Sequence, residues 1–382
     1  MPLRFFTAGE SHGPCLLGIL EGMPAGLPLT EEDLLRDLRR RQLGYGRGGR
    51  MKIEADQAEI LSGVAHGRTT GGPIGLRIEN KDWPNWKDKD LPPLTVPRPG
   101  HADLTGYWKY GHRDLRLALE RASARETAMR VAVGGICKRL LAEFGMTIAS
   151  QVLQIGPVRA TPGDLTDPAV VERAEASALR TPDAEAEQRM REAILEAKRQ
   201  GQTLGGVFEV VVSNVIPGLG SYVHWDRKLD GRLAQAVMSI PAIKAVAIGD
   251  GFTIGESLGT YAHDGMRLVD GRLVRLSNRA GGLEGGVTNG QPLVVRAVMK
   301  PISTTPTPQP SVDLATGENV PSQYQRSDVC AVPAAGVVAE AMVAFVLADA
   351  FLEKFGGDSL EEIRPRVQAY LAALPYWSPA RL

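Results

Sequence analysis

Cysteine is scarce in this 382-residue chain: Cys15, Cys137 and Cys330 are its three, and they lie far apart. They make neither a disulfide framework nor a metal-type spacing, so a reducing, cytoplasmic compartment is expected. Net charge is missing too, 44 basic residues balancing 44 acidic ones. A nucleic-acid-binding domain usually carries a basic excess. Any positive site must therefore be local, which suits a small anionic ligand, and no nucleic-acid partner is expected. The N-terminus, MPLRFFTAGESHG, has no signal-type apolar core. The longest apolar stretch, AVPAAGVVAEAMVAFVLADAFL, contains Pro333, Glu340 and Asp349. A membrane span would have to hold both acids in hydrocarbon, so the stretch reads as a buried helix and no membrane partner is expected. HExxH, C-x-x-C and GxxxxGK[ST] do not occur, which leaves metal hydrolysis and P-loop chemistry without support and no residue assigned to a metal.

What is abundant is glycine, at 43 residues, with 26 prolines spread along the chain, a composition of many tight turns and close backbone approaches. Alternation in GPIGLRIEN, GGVFEVVVSNV and QPLVVRAVMK predicts strands. Helical patterns run through TEEDLLRDLRRR, LRLALERASARETAMRVAVGGICKRLLAEFG, AEQRMREAILEAKRQG, LDGRLAQAVMS and VVAEAMVAFVLADAFLEKFG. Gly145, Gly201 and Gly356 stand where helix stops are expected. The Pro-rich, aperiodic PNWKDKDLPPLTVPRPGHADLTG reads as a long ordered loop, and loops of that length are often functional.

An internal similarity organises the chain. GRTTGGPIGLR at 67–77 and GVTNGQPLVVR at 286–296 share Gly, Thr, Gly, Pro, an aliphatic residue and Arg at identical spacing. Each is preceded by a strand, a Pro/Gly turn and a helix. The expectation is one unit spanning 1–382, with a pseudo-repeat of about 1–145 and 200–355 and two related lobes packed together without a linker.

Three familiar motifs fail on context. GESHG at 9–13 has the G-x-S-x-G spacing of a nucleophile elbow, but only eight residues precede Gly9, too few to supply the oxyanion loop. HRDL at 112–115 resembles a kinase catalytic loop, yet Leu119 stands where Asn is required and no DFG follows. GYGRGG at 44–49 follows a helix and leads into a strand-like run, the reverse of the order that would put a pyrophosphate on a helix N-terminus. What survives there is a glycine loop carrying Arg47 and Arg50, where an anion can approach closely. Arg39 and Arg40 read as a solvated helix end complementing the dipole.

Several residues carry chemistry. His12, brought forward with Ser11 by a small-residue turn, and His101, between Arg98 and Asp103, are suited to proton transfer near neutrality, though a lone His is more often structural. On a continuous helix, RASARETAMR places Arg121 and Arg125 one turn apart, with Ser123 and Thr127 beside them. That makes a stripe of donors for phosphate or carboxylate, with Ala122 permitting close contact; the alternative is a solvated charged face. Lys300, Ser303 and Thr304 offer donors on a proline-held turn, and Arg326 and Asp328 precede the last apolar helix. These residues describe an enzyme binding phosphorylated or carboxylated small molecules.

Together, AGESHGPCLLGILEGMPAG, RRQLGYGRGGRM, RPGHAD, RASARETAMR, MSIPAIKAVAIGDGF, KPIST and RSDVCAVPAAG resemble the chorismate synthase family, in that family's order from first strand to last helix. The resemblance implies an α+β fold, a β-α-β sandwich of two pseudo-repeated lobes with helices packed between antiparallel sheets, assembled as a homotetramer. It implies a lyase that eliminates phosphate and a ring proton from 5-enolpyruvylshikimate 3-phosphate in a 1,4 sense to give chorismate. Reduced FMN is the implied cofactor, without net redox change, and NADPH or an external flavin reductase the implied source of electrons. By the same resemblance His12 protonates the departing phosphate, His101 sits near flavin N1, and Asp328 near N5 assists removal of the ring hydrogen. Arg121, Ala122, Ser123, Pro241, Ala242, Gly285, Lys300, Pro301, Ile302, Ser303, Thr304 and Arg326 match the family's FMN contacts. Position 241 commonly carries Gln or Asn in the family, so only a backbone contact is implied for Pro241. Arg41 and Arg47 match NADP positions, although their chemistry serves the substrate's phosphate or carboxylates at least as well. Ser11, Arg47, Arg50, Arg125 and Arg326 are the expected substrate contacts. A non-catalytic binder of phosphorylated metabolites or RNA is the alternative in another class; it would not need His12, His101 and Asp328.

Overall fold

A computed structural model describes residues 2–48, 55–324 and 327–377. Arg50 and Arg326 lie outside the described residues. The first unit opens with strands β1 (Arg4–Ala8) and β2 (Cys15–Glu21), then helix α1 (Glu31–Gln42), strand β3 (Ala58–Ile60), a small hairpin at 64–69 and strand β4 (Ile74–Glu79). Thr30 and Asp33 close α1 with a capping box. The strands pair antiparallel in the order β1-β2-β4-β3. In β2, Leu16, Gly18 and Leu20 turn inward while Leu17 and Ile19 face out. After the long loop come α2 (Asp103–Tyr110), α3 (Arg116–Ala122) and α4 (Thr127–Ala142).

The second unit runs through the same elements: β5 (Thr147–Ile155), β6 (Gly206–Ser213), α7 (Leu229–Met238), β7 (Ile243–Ile248), a hairpin at 283–288, β8 (Leu293–Met299) and α8 (Val332–Phe355). Between β5 and β6 the chain makes an excursion carrying α5 (Pro168–Ala176) and α6 (Ala184–Arg199). The sheet order β5-β6-β8-β7 repeats the order of the first unit, with Val158–Arg159 added at the β5 edge. The two matching sequence segments form the hairpin and following strand in each unit. The second unit begins at β5, earlier than the sequence similarity suggests, because the excursion separates two strands that pair directly.

The helices α1, α4, α7 and α8 fill the space between the two antiparallel sheets, so the fold is α+β and one continuous apolar core runs from Leu3 to Val367. Close packing depends on small residues at two contacts. A Cβ on Gly134 would lie 2.2 Å from the Cβ of Ala341, so α4 and α8 meet backbone to backbone. A Cβ on Gly18 would lie 2.5 Å from Met129 Sδ, where α4 rests on the first sheet. The helix α8 is long and apolar enough to cross a membrane, but 89% of its most apolar window is buried inside the protein.

In the middle of that apolar helix Glu340 is fully buried. Arg40 donates to both of its carboxylate oxygens at 2.8 Å, Lys138 at 2.6 Å and Ser150 at 2.5 Å. Asp37, Glu175 and Arg180 complete the cluster. Arg40 is thus not a solvated helix end; only Arg39 is exposed. Burial alone would raise the Glu340 carboxyl, but Arg40, Lys138 and Arg180 overcome it and hold the group well below its ordinary 4.5. Asp37 and Glu175 are lowered in the same way. Removing one partner of a buried ionic cluster leaves uncompensated charge. Glu340→Ala is therefore expected to lose about 3–5 kcal/mol of unfolding free energy in denaturant titration. Because these folded-state values are depressed, their contribution is complete above the unfolded carboxyl range and is lost as pH falls through the folded values. Wild-type stability should fall in acid below about pH 4.5, with a slope that Glu340→Ala reduces.

Candidate active site

The N-terminal ends of α4 and α8 and the C-terminal ends of α1 and α7 open on one cavity of about 1410 Å³. The two N-termini and two C-termini offset one another in dipole, so the sign of the cavity is set by its side chains. Its described lining holds nine arginines and lysines against four carboxylates, a strong local excess in a chain of zero net charge. A single small-molecule site usually occupies roughly 300–1,000 Å³, so this one has room for two ligands. Ala334, Ala335, Val338, Ile302 and Ala242 supply an apolar wall beside the cations.

His12 follows β1 on a turn tied down by Asn80, whose Nδ2 donates to the carbonyls of Glu10 and Gly13. Its Nδ1 lies 2.7 Å from Glu120 Oε1, and its backbone N–H donates to Oε2 at 2.6 Å. The Trp86 ring stacks on the imidazole at 3.9 Å between centroids. Ser11 accepts from Ser123 Oγ at 3.1 Å. His101 Nδ1 contacts Asp103 Oδ1 at 2.5 Å, and Arg98 donates to Asp103 Oδ2 at 2.9 Å and to Thr304 Oγ1 at 2.9 Å. Burial would raise Asp103, but its bonds to His101 and Arg98 take it far below the usual carboxylate range.

The expected continuous helix through RASARETAMR is broken. Ser123 is extended, at φ −62° and ψ 143°, and its side chain accepts from Arg125 N at the start of a short 3-10 turn. The sequence signal was present in the S-x-x-E spacing of Ser123 and Glu126, which favours a new helix start. The break separates the two arginines. Arg121 stays at the cavity edge and donates to the Thr7 carbonyl at 2.9 Å. Arg125 turns inward to Asp56 and to Asn80 Oδ1. Arg41 meets the other Asp56 oxygen at 3.3 Å, donates to Thr127 Oγ1 at 3.0 Å and to the Ala124 carbonyl at 2.8 Å. Burial and the nearby positive Arg47 and Arg125 lower Arg41 to about 10, Asp56 opposing them. Both arginines form the charged floor under the cavity.

The described part of the glycine loop, residues 44–48, packs beside this floor. Gly44 and Gly46 have φ of +129° and +87°, and Gly46 accepts from Val329 N at 2.9 Å. Gly48 N donates to Asp328 Oδ1 at 2.6 Å and Arg47 reaches Oδ2 at 3.2 Å, so Asp328 anchors the loop. Across the cavity, Lys300 Nζ donates to the Gly100 carbonyl at 2.5 Å and its N–H to the Ala242 carbonyl at 2.9 Å. Burial, then Lys244, lowers the Lys300 ammonium. Ala242 itself sits at φ +69°, a strained position for a residue with a Cβ.

The cavity thus brings together Ser11, His12, Arg41, Arg47, His101, Arg121, Ala122, Ser123, Arg125, Pro241, Ala242, Lys300, Ile302, Ser303, Thr304 and Asp328. Pro301 is exposed beside the cavity and does not line it. Gly285 is not brought in. Its hairpin caps the N-terminal end of α7 through Leu229 N–H and the Gly286 carbonyl at 3.0 Å, whereas Pro241 and Ala242 follow the other end. Sequence reasoning missed Glu120, Trp86 and Asp56, whose importance lies in contacts made across the fold.

A positive, partly apolar cavity of this size with fixed histidines is that of an enzyme acting on small polyanionic metabolites. The chorismate synthase family model matches residues 3–352. Curated relatives named chorismate synthase include those of Aquifex aeolicus, 54% identical over 97% of both chains, and Syntrophotalea carbinolica, 55% identical over 96% of this chain and 97% of that one. A solved structure titled as a crystal structure of chorismate synthase superposes with a TM-score of 0.80 at 48% identity, covering 97% of each chain. This chain belongs to the chorismate synthase family, and its activity is that of a carbon–oxygen lyase forming chorismate in aromatic amino-acid biosynthesis.

The side chain of Asp56 is completely buried between Arg125 and Arg41. Arg125→Ala should lower unfolding free energy by about 3 kcal/mol in denaturant titration, as expected for a carboxylate left buried with its closest partner gone. An unchanged stability would mean that Arg125 serves the ligand alone.

Proposed function

We propose that the cavity binds reduced FMN and 5-enolpyruvylshikimate 3-phosphate side by side, with His12 as the proton donor to the departing phosphate. The single observation that carries this reading is a histidine fixed by a carboxylate at the rim of a cavity with a large cationic excess. The substrate has one phosphate and two carboxylates, and Arg47, with Arg121 and Arg130 at the opposite edge, meets the need for fixed cations. Arg41 and Arg125 contribute field from below, and Arg50 and Arg326 belong to the same set by their place in the sequence. Lys300, Ser303 and Thr304 would hold the flavin's phosphate. The wall of Ala242, Ile302, Ala334 and Ala335 suits its flat ring.

The ring hydrogen is weakly acidic, and no side chain here would remove it easily unaided. Reduced flavin, when bound, supplies a transiently available electron that the reaction returns. His101, steadied by Asp103, would face the flavin, and Asp328, which anchors the glycine loop, would assist removal of the ring hydrogen. Reducing equivalents would come from an external reductase, with NADPH at Arg41 or Arg47 as the other source. Arg41 is already engaged by Asp56, Thr127 and Ala124, which favours the external route.

A homotetramer accounts for the apolar groups left outside: Phe6 and Ile19 on the first sheet are 64% and 51% exposed. Cytoplasmic residence agrees with three free thiols. Burial pushes the Cys330 thiol up to about 11.

His12→Asn should lower kcat by about 10²–10⁴-fold, the usual contribution of a general acid. Substrate affinity by calorimetry should change little. Wild-type turnover in that variant would remove His12 from the mechanism.

A further inference from the structure

We infer that Glu120 and Trp86 are positioning residues for His12, fixing which imidazole nitrogen exchanges a proton with the substrate. The inference rests on the reading of His12 as proton donor.

Glu120 grips the turn after β1 at three points. Its two carboxylate oxygens take the His12 ring at Nδ1 and the His12 backbone N–H, at 2.7 and 2.6 Å. Its own carbonyl accepts from Ser11 N at 3.1 Å. An ionised carboxylate only accepts, so it keeps a proton on Nδ1 and assigns transfer to Nε2. Trp86 covers the ring face with an interplanar angle of 31°, and is itself held by its indole N–H donating to Asp82 at 3.1 Å. The imidazole therefore cannot flip or tilt without breaking a contact on either side.

The chemistry of the cavity argues that this arrangement serves function. A carboxylate facing a substrate with three anionic groups repels it, so each acid in the lining needs another use. Glu126 is bound to Arg130 and Thr7, Asp328 to Arg47 and Gly48, and Asp82 to Asn85 and Trp86. Among the described residues, both side-chain hydrogen bonds of Glu120 go to residue 12. Glu120 also sits on α3 just before the break at Ser123, so the interruption of the helix sets the carboxylate against the turn.

The test compares E120Q, W86F, H12N and the H12N/E120Q double variant. It measures steady-state turnover, calorimetric binding of 5-enolpyruvylshikimate 3-phosphate, and nitrogen-resolved NMR of the histidine ring N–H. E120Q should lower kcat about 10- to 100-fold, less than loss of the acid itself, with substrate affinity within about threefold and the His12 Nδ1–H signal shifted. W86F keeps both Glu120 bonds and should lower kcat about 2- to 10-fold, the scale of a ring contact. The double variant should be no slower than H12N, since the two residues act as a unit. Wild-type kcat in E120Q alongside a slow H12N, or additive losses in the double variant, would overturn the positioning role and leave His12 in place. Wild-type kcat in H12N would overturn both.

Discussion

The pairing of Glu340 with Arg40 is the constraint on which the rest of the structure depends. It places a full charge in the centre of the most apolar helix of the protein and answers it from α1, α4 and the excursion between β5 and β6. An apolar core alone would tolerate small slides of one helix along another, whereas an ionic cluster of this kind accepts only one register. The consequence reaches the site through the next residue in the chain. With Arg40 committed inward, Arg41 turns to Thr127, Ala124 and Asp56 and becomes the floor of the cavity. The close meeting of Gly134 and Ala341 has the same effect from the other side, bringing the N-terminal ends of α4 and α8 to one place.

On that frame a chain with no net charge concentrates cations where a polyanion must bind. The carboxylates in and around the cavity are held in hydrogen bonds and ion pairs that limit their repulsion and put them to work. Asp56 spaces two arginines, Asp103 steadies His101 and Arg98, and Asp328 ties down the glycine loop. The electrostatics are thereby set before ligand arrives, which is how a site stabilises developing charge at least cost in reorganisation.

Much of this was legible in the sequence. The strands and most helices follow from alternation and helical periodicity, and the paired GRTTGGPIGLR and GVTNGQPLVVR segments occupy equivalent places in the two sheets. Over the described residues 44–48, GYGRG is a loop, as its order relative to the helix implied, and not a dinucleotide turn. The break at Ser123 was readable too, but the strong helical periodicity on both sides masked its S-x-x-E signal. Arg40 could not be read, since three arginines in a row at a helix end look alike until a buried acid 300 residues away selects one. Glu120, Trp86 and Asp56 were illegible for the same reason: their meaning lies in partners at separations of 15 to 108 residues.

The proposed reaction is a redox-neutral elimination that needs reduced flavin without consuming it. Its most direct test is anaerobic: substrate in large excess over dithionite-reduced FMN, with chorismate absorbance and the flavin spectrum followed together. The expected result is many chorismates per flavin, with the flavin still reduced when substrate is exhausted. Product limited to one equivalent per flavin, with the flavin left oxidised, would contradict it.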